Sequence, residues 1–335
     1  MSARAVILAP EGVSLSPREA DLFRAADPWG FILFARNIDC PDQVLRLTQS
    51  LRECVGRDAP VLIDQEGGRV QRMGPPHWRA WTPPLEFVAG LPAGHRAEAM
   101  NLRYRLIADE LRAVGIDVNC APTLDIARPE THPFLRNRCY ADTADEVARM
   151  GRAVVDGLTV GGVLPVIKHM PGHGRAQVDS HKDLPRVTAP RADILEDWAP
   201  FRALADAPLG MTAHIVFDAL DPHLAATQSP TLVRSMREEI GFEGLLMTDD
   251  ISMEALSGTV VDRARASLEA GVDVVLHCNG RSDEMEALAA DIPHLSARAA
   301  HRAERALAHR TAPDPFDAGA AAQRLAALTL EAAHA

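Results

Sequence analysis

A (β/α)8 TIM-type barrel is the fold that this 335-residue chain predicts. Three observations lead there. Short apolar runs, mostly β-branched, recur along the chain. Longer Ala/Leu/Arg/Glu-rich stretches of helical period lie between them. Glycine often closes a helical stretch just before the next apolar run, the usual helix-stop signal. Strands that alternate with helices form parallel sheets with right-handed crossovers, and eight such units make a barrel. An open doubly wound sheet is the competing architecture. No G-x-G-x-x-G or Walker loop follows any strand, which weakens its nucleotide-binding version.

The eight runs are Ala5–Leu8, Gly30–Phe34, Val61–Ile63, Ile116–Cys120, Leu164–Ile167, Gly210–Ala213, Leu245–Met247 and Val272–Leu276. Helical stretches between them include Arg96–Val114, Asp142–Leu158, Pro190–Leu204 and Asp262–Ala270, and Gly115, Gly162, Gly210, Gly244 and Gly271 read as stops. Residues 295–335 are rich in Ala and Arg and predict helices packed outside the barrel. No internal repeat and no Pro/Ser/Gly-rich linker divides the chain, so residues 1–335 read as a single barrel domain with a helical tail.

Composition narrows the function. With 35 basic and 46 acidic residues the net charge is −11, which argues against a nucleic-acid or anionic-membrane surface. Apolar runs are far shorter than the roughly 20 residues of a membrane span. The N-terminus MSARAVILAPEG has no extended apolar region of the kind that precedes a cleavage site, so the chain reads as cytoplasmic. Five scattered cysteines without a C-x-x-C pair read as reduced thiols.

Barrel enzymes take their catalytic groups from the carboxyl ends of the strands. Those positions here are dense in polar residues: Asp64-Gln65-Glu66 with Arg69 and Arg72, then Thr123 and Asp125, Lys168-His169, His214, Thr248-Asp249-Asp250, and His277-Cys278-Asn279. So many polar groups at the ends of apolar strands are costly without partners, and a polyhydroxylated ligand such as a sugar explains them. Asp249 directly follows a buried run, the rigid placement a nucleophile needs. The alternative for Asp249 is an N-cap of a helix starting near Ile251 or Ser252.

The fourteen residues Lys168–His181 hold three histidines, a lysine and an aspartate in a loop with Pro171, Gly172 and Gly174. Asp179 and His181 are two apart, so the carboxylate can fix the imidazole tautomer, and a histidine can give and take a proton near neutral pH. His169, His173, His181, His214 and His277 also permit a metal site, but Pro171 keeps the first two off one regular helix face. The Pro-rich loop with His77, Trp78 and Trp81 forms either an aromatic platform for a sugar or packing over the barrel. Arg69, Arg72, Arg136 and Arg138 are either ligand contacts or surface ion pairs.

At this point the strings ILFARNI, IDQEGGRVQRM, KHMPGHGRAQVDSHKDLP, MTAHIVF and GFEGLLMTDDISMEAL resemble the family 3 glycoside hydrolases, in their single-domain bacterial β-N-acetylhexosaminidase branch. The matching blocks run from about Gly30 to Ser252 in the same order. The resemblance implies Asp249 as nucleophile, His181 as proton donor and acceptor, and Asp179 as its orienting partner. It implies Asp64, Arg72, Arg138, Lys168 and His169 as contacts to the terminal N-acetylglucosamine (GlcNAc). Met170 and Cys139 stand where relatives often carry Phe and Ser, which touches pocket shape only.

The implied activity is a retaining exo-β-N-acetylglucosaminidase. It would act on GlcNAc-1,6-anhydro-N-acetylmuramic acid and its peptides in cell-wall recycling, by a covalent glycosyl-enzyme. That chemistry calls for no metal and no organic cofactor. The expected partner is the small carbohydrate alone, with no nucleic acid and no membrane, on a monomer or weak dimer. A metal-dependent barrel hydrolase, a sugar-binding protein without chemistry, and a phosphorolytic variant remain as other readings.

Overall fold

Strands of a parallel barrel are covered on both faces, so they read as unbroken apolar runs. In the computed structural model, which describes residues 3–178 and 184–333, eight such strands close into one barrel. They are β1 (Arg4–Leu8), β2 (Pro28–Leu33), β3 (Val61–Ile63), β4 (Val118–Asn119), β5 (Leu164–Met170), β6 (Leu209–Thr212), β7 (Leu245–Asp250) and β8 (Val274–His277). Each pairs in parallel with its sequence neighbours, and β8 returns to β1 with Val275 opposite Val6. The expected TIM-type barrel is the observed one.

The helices form where the 3.6-residue period lies. Arg96–Ala113, Ala144–Val160 and Val260–Ala270 match three expected stretches within two residues. Ser16 and Thr259 start helices through capping boxes with Glu19 and Asp262. The stretch expected as one helix over 190–204 is two, Arg191–Asp197 and Ala199–Ala203. Pro200 lacks the N–H that a continuous helix needs there. The tail forms helices Ala297–Ala308 and Ala318–Ala333.

Two glycines differ from expectation. Gly115, Gly162 and Gly271 take positive φ just after helices, as helix stops do. Gly210, however, lies inside β6, where a Cβ would meet the Met170 side chain at 2.2 Å. After the helix Pro230–Glu238 the left-handed residue is Gly241, not Gly244.

Strand ends also moved, in a direction that matters for the site. β5 runs on through Lys168, His169 and Met170, and β7 through Thr248, Asp249 and Asp250. Asp249 is not an N-cap: residues 251–256 form turns, and the next helix starts at Val260 under Thr259. The loop with Trp78 and Trp81 packs over the barrel. Trp78 is buried in the main core cluster, and Trp81 lies against the Arg103 guanidinium at 5.4 Å.

Candidate active site

A regular strand sends successive side chains to opposite faces, so two adjacent pocket residues need an irregularity. Two irregularities fall where they are needed. The β5–β6 register shifts between Ile167 and Met170, and the β7–β8 register between Met247 and Asp250. Lys168 and His169 both line one pocket at the carboxyl end of the barrel, as do Asp249 and Asp250. This cavity of about 100 Å³ is also lined by Asp64, Arg72, Arg138 and the rings of Phe34 and Phe134.

The pocket floor is an ion cluster. Lys168 is 1% exposed, and its Nζ lies 3.0 Å from Asp64 and 2.6 Å from Glu66. Arg138 donates to Glu66 through Nε at 2.9 Å and Nη2 at 2.8 Å, a two-pronged pair. Arg72 donates to Asp64 at 3.0 Å. Burial alone raises the pKa of both carboxyls. The Lys168 and Arg72 cations reverse this for Asp64, and Arg138 and Lys168 do so for Glu66, so both sit below their usual range. Burial would discharge Lys168, but Asp64 and Glu66 hold its pKa above the ordinary lysine value. The result is a rigid set of ionised acceptors and donors, the equipment for ordering sugar hydroxyls.

The hairpin that carries Glu66 is shaped by Gly67, whose φ is +95° and where a Cβ would meet Arg103 Nη2 at 2.0 Å. Arg103 is fully buried and donates to the carbonyls of Glu66 at 3.0 Å and Thr82 at 2.8 Å. Tyr104 donates to the same Glu66 carbonyl at 3.2 Å.

The histidines that could have formed a metal site are not gathered as one: His169 and His173 meet edge-on with ring centres 5.7 Å apart, while His214 and His277 bond elsewhere. His169 Nδ1 meets the Asp125 carboxylate at 2.7 Å, and Asp125 also accepts the His173 backbone N–H at 2.6 Å. That bond puts the His169 proton on Nδ1 and leaves Nε2 facing Arg138 at 3.4 Å. His214 bridges the Thr227 hydroxyl at 2.8 Å and the Asp250 carbonyl at 3.0 Å; since a carbonyl only accepts, Nε2 carries the proton. His277 is buried against Glu284 at 2.8 Å. Contrary to expectation, neither His214 nor His277 lines the pocket. Among the described residues no three His, Cys, Asp or Glu side chains are grouped to hold a metal ion. Asp179 and His181 lie outside the described residues.

The family 3 glycosyl hydrolase N-terminal domain matches residues 19–309. The chain belongs to glycosyl hydrolase family 3. A β-hexosaminidase of Alkalilimnicola ehrlichii is 37% identical over 296 residues, 85% of this chain and 82% of that protein. NagZ of Neisseria gonorrhoeae, solved with N-trifluoroacetyl-D-glucosamine, superposes with a TM-score of 0.84 at 28% identity, over 100% of this chain and 98% of that one. A family 3 β-N-acetylglucosaminidase from Paenibacillus gives 0.83 at 29% identity, over 97% of this chain and 67% of that one.

Within this family 3 site, sequence reasoning brought Asp249, Asp64, Arg72, Arg138, Lys168 and His169 to one place, and the pocket holds all six. It missed Glu66 and Asp125 as organising residues. The signal for Glu66 was its position beside Asp64 in a strand end closed by Gly67-Gly68, next to a loop rich in arginine.

Proposed function

We propose that this family 3 chain is a retaining exo-β-N-acetylglucosaminidase that releases the terminal non-reducing GlcNAc of peptidoglycan turnover fragments. The GlcNAc-1,6-anhydro-N-acetylmuramic acid fragments and their peptides are the intended substrates, in cytoplasmic cell-wall recycling. The observation that carries the reading is Asp249, on β7, lining the same small pocket as the Asp64–Lys168–Glu66–Arg138 cluster. The names of the relatives support the same choice of sugar. Residues 1–335 act in this reading as a single barrel domain, monomeric or weakly dimeric.

In the mechanism, Asp64 accepts from ring hydroxyls while Lys168, Arg72 and Arg138 donate to ring oxygens, and His169 adds a contact through its Nε2. These contacts hold C1 within reach of Asp249. Asp249 Oδ attacks C1, the C1–O bond breaks, and His181, oriented by Asp179, gives its proton to the departing oxygen. A glycosyl ester forms. His181 then takes a proton from water, the hydroxide adds to C1, the ester bond breaks, and GlcNAc leaves with its configuration retained. Asp249 is aligned through its own strand: its Oδ1 accepts the Asp250 N–H at 2.8 Å. No step calls for a metal or organic cofactor.

The test is hydrolysis of p-nitrophenyl β-glycosides of GlcNAc, GalNAc and glucose, with product anomers followed by NMR. GlcNAc preference with β-product first is expected, and Asp249→Ala abolishes turnover. His181→Ala slows substrates with poor leaving groups most. An inverted anomer, or full activity in Asp249→Ala, overturns the reading.

A further inference from the structure

Asp250, beside the proposed nucleophile, is held at every polar atom. Its backbone N–H meets Asp249 Oδ1 at 2.8 Å. Its carbonyl accepts from His214 Nε2 at 3.0 Å and from the Met253 N–H at 3.1 Å. Its carboxylate accepts the Ser252 hydroxyl at 2.6 Å and the N–H groups of Ser252 at 3.0 Å and Cys278 at 3.1 Å. The N–H that holds Asp249 is therefore fixed along with the rest of the residue.

His214 is itself aligned by two hydroxyls. Thr212 ends β6, and its Oγ1 lies 2.8 Å from Thr227 Oγ1 in the turn Ala226–Gln228. Thr227 Oγ1 in turn lies 2.8 Å from His214 Nδ1. The Asp250 carbonyl only accepts, so Nε2 carries the proton of a neutral ring and Nδ1 accepts from Thr227. A hydroxyl has one proton to give, so Thr227 accepts from Thr212. Thr227 Oγ1 also lies 3.0 Å from the Ala213 carbonyl, the longer of its two acceptor contacts. The bonds run in one direction, from Thr212 through Thr227 and His214 to Asp250. Burial keeps the His214 pKa below the usual histidine value, against the opposing pull of the Asp249 charge, so the ring is neutral near pH 7.

Thr212, His214 and Thr227 are each at most 1% exposed. Three apolar side chains would fill this space without the desolvation that polar groups cost. What the polar chain adds is direction: it selects one tautomer and aims one N–H at one carbonyl.

We infer that His214 is a positioning residue for Asp249: as the Nε2–H tautomer set by Thr212 and Thr227, it pins Asp250, from whose N–H the attacking carboxylate takes its hydrogen bond. The inference rests on the reading of Asp249 as nucleophile and names what aims it. His214 does not line the pocket, so its effect reaches the sugar only through Asp250.

The experiment uses dinitrophenyl β-GlcNAc, whose leaving group departs without a proton, so that the single-turnover rate reports attack by Asp249. His214→Phe keeps a ring and loses the N–H. Its rate falls about thirtyfold, inside the hundredfold that a misplacement of ~1 Å costs, while the half-saturating sugar concentration changes by less than about twofold. His214→Gln, whose amide N–H reaches the Nε2 position, recovers the rate to within about fivefold of wild type, and Thr227→Val falls between the two. Imidazole nitrogen NMR of the wild type, with His214 identified by the signal missing from its variants, shows a protonated Nε2 and a bare Nδ1. Where His214→Phe does not fold, Thr227→Val and the spectrum decide. A wild-type rate in His214→Phe or Thr227→Val, an equal loss in the Phe and Gln variants, or a proton on Nδ1 in place of Nε2 overturns the inference, while wild-type turnover still upholds the glycosidase. No turnover in the wild type overturns both readings together.

Discussion

Glu66→Gln tests the ion cluster directly. The carboxylate is 1% exposed, takes both prongs of Arg138 at 2.9 and 2.8 Å, and lies 2.6 Å from Lys168. Glutamine keeps the shape and one acceptor oxygen but removes the charge, leaving Arg138 and Lys168 to share Asp64 as their nearest anion. Removing one partner of a buried ion pair costs about 3–5 kcal/mol. The retained oxygen argues for the lower end, about 3 kcal/mol, and a fall in Tm of roughly 4 °C for a chain of this length. Urea unfolding followed by tryptophan fluorescence measures it, with Trp29 and Trp198 buried as reporters. The pH dependence has a definite sign. Folding lowers the Glu66 pKa, because Arg138 and Lys168 outweigh burial. Its stabilisation is therefore complete above the unfolded value of about 4.3 and is lost as pH falls through the folded one. The gap between wild type and Glu66→Gln is flat from neutral pH down to about 5 and narrows below about 4. In kinetics the variant raises KM for aryl GlcNAc about tenfold, as expected when charged donors lose their alignment. A variant within about 1 kcal/mol of wild type and with wild-type kcat/KM would refute the reasoning that Glu66 holds the floor.

Asp125→Asn leaves an amide N–H facing either His169 Nδ1 or the His173 backbone N–H, since the two oxygens of Asp125 serve both. An about tenfold loss of kcat/KM is expected, with the stability largely kept, and steady-state assays on aryl GlcNAc measure it. His173 is buried, and burial brings its pKa down to about 4. The unfolded chain binds that proton below about 6.5, so wild type loses stability as pH falls from there towards 4, by about 3 kcal/mol. His173→Gln removes this loss, and parallel urea titrations at neutral and acid pH show it. Equal acid sensitivity in the two proteins would contradict it.

The barrel was legible because parallel strands buried on both faces must be apolar throughout. Runs such as Leu245–Met247 and Val61–Ile63 therefore stand out against the helical stretches. The fourth strand shows how far that signal reaches: five apolar-patterned residues were expected, and two pair as strand. Charged residues hid the true ends of β5 and β7. Lys168-His169 and Asp249-Asp250 look like loop residues by composition, yet register shifts keep them on the strands and turn them inward. Glu66 and Asp125 stand among the polar strand-end residues of the sequence, but their organising role was hidden for a related reason. A carboxylate that pairs with a buried cation has no local sequence mark separating it from one on the surface; only the fold brings Arg138 and His169 to them. His214 and His277 were the converse, polar residues at strand ends whose partners lie behind the rim.

Arg103 reaches the floor from behind, and the helix that carries it, Arg96–Ala113, also bears Ala99 and Leu106, which pack in one apolar cluster with Leu325 and Leu328 of the last helix. The backbone that carries the Glu66 carboxylate is thus braced, through the Arg103 guanidinium and the Tyr104 hydroxyl of one helix, against the last helix. Shortening the chain by its final two turns would therefore be felt as slack beneath the substrate, well before it was felt as a missing piece of the outer wall.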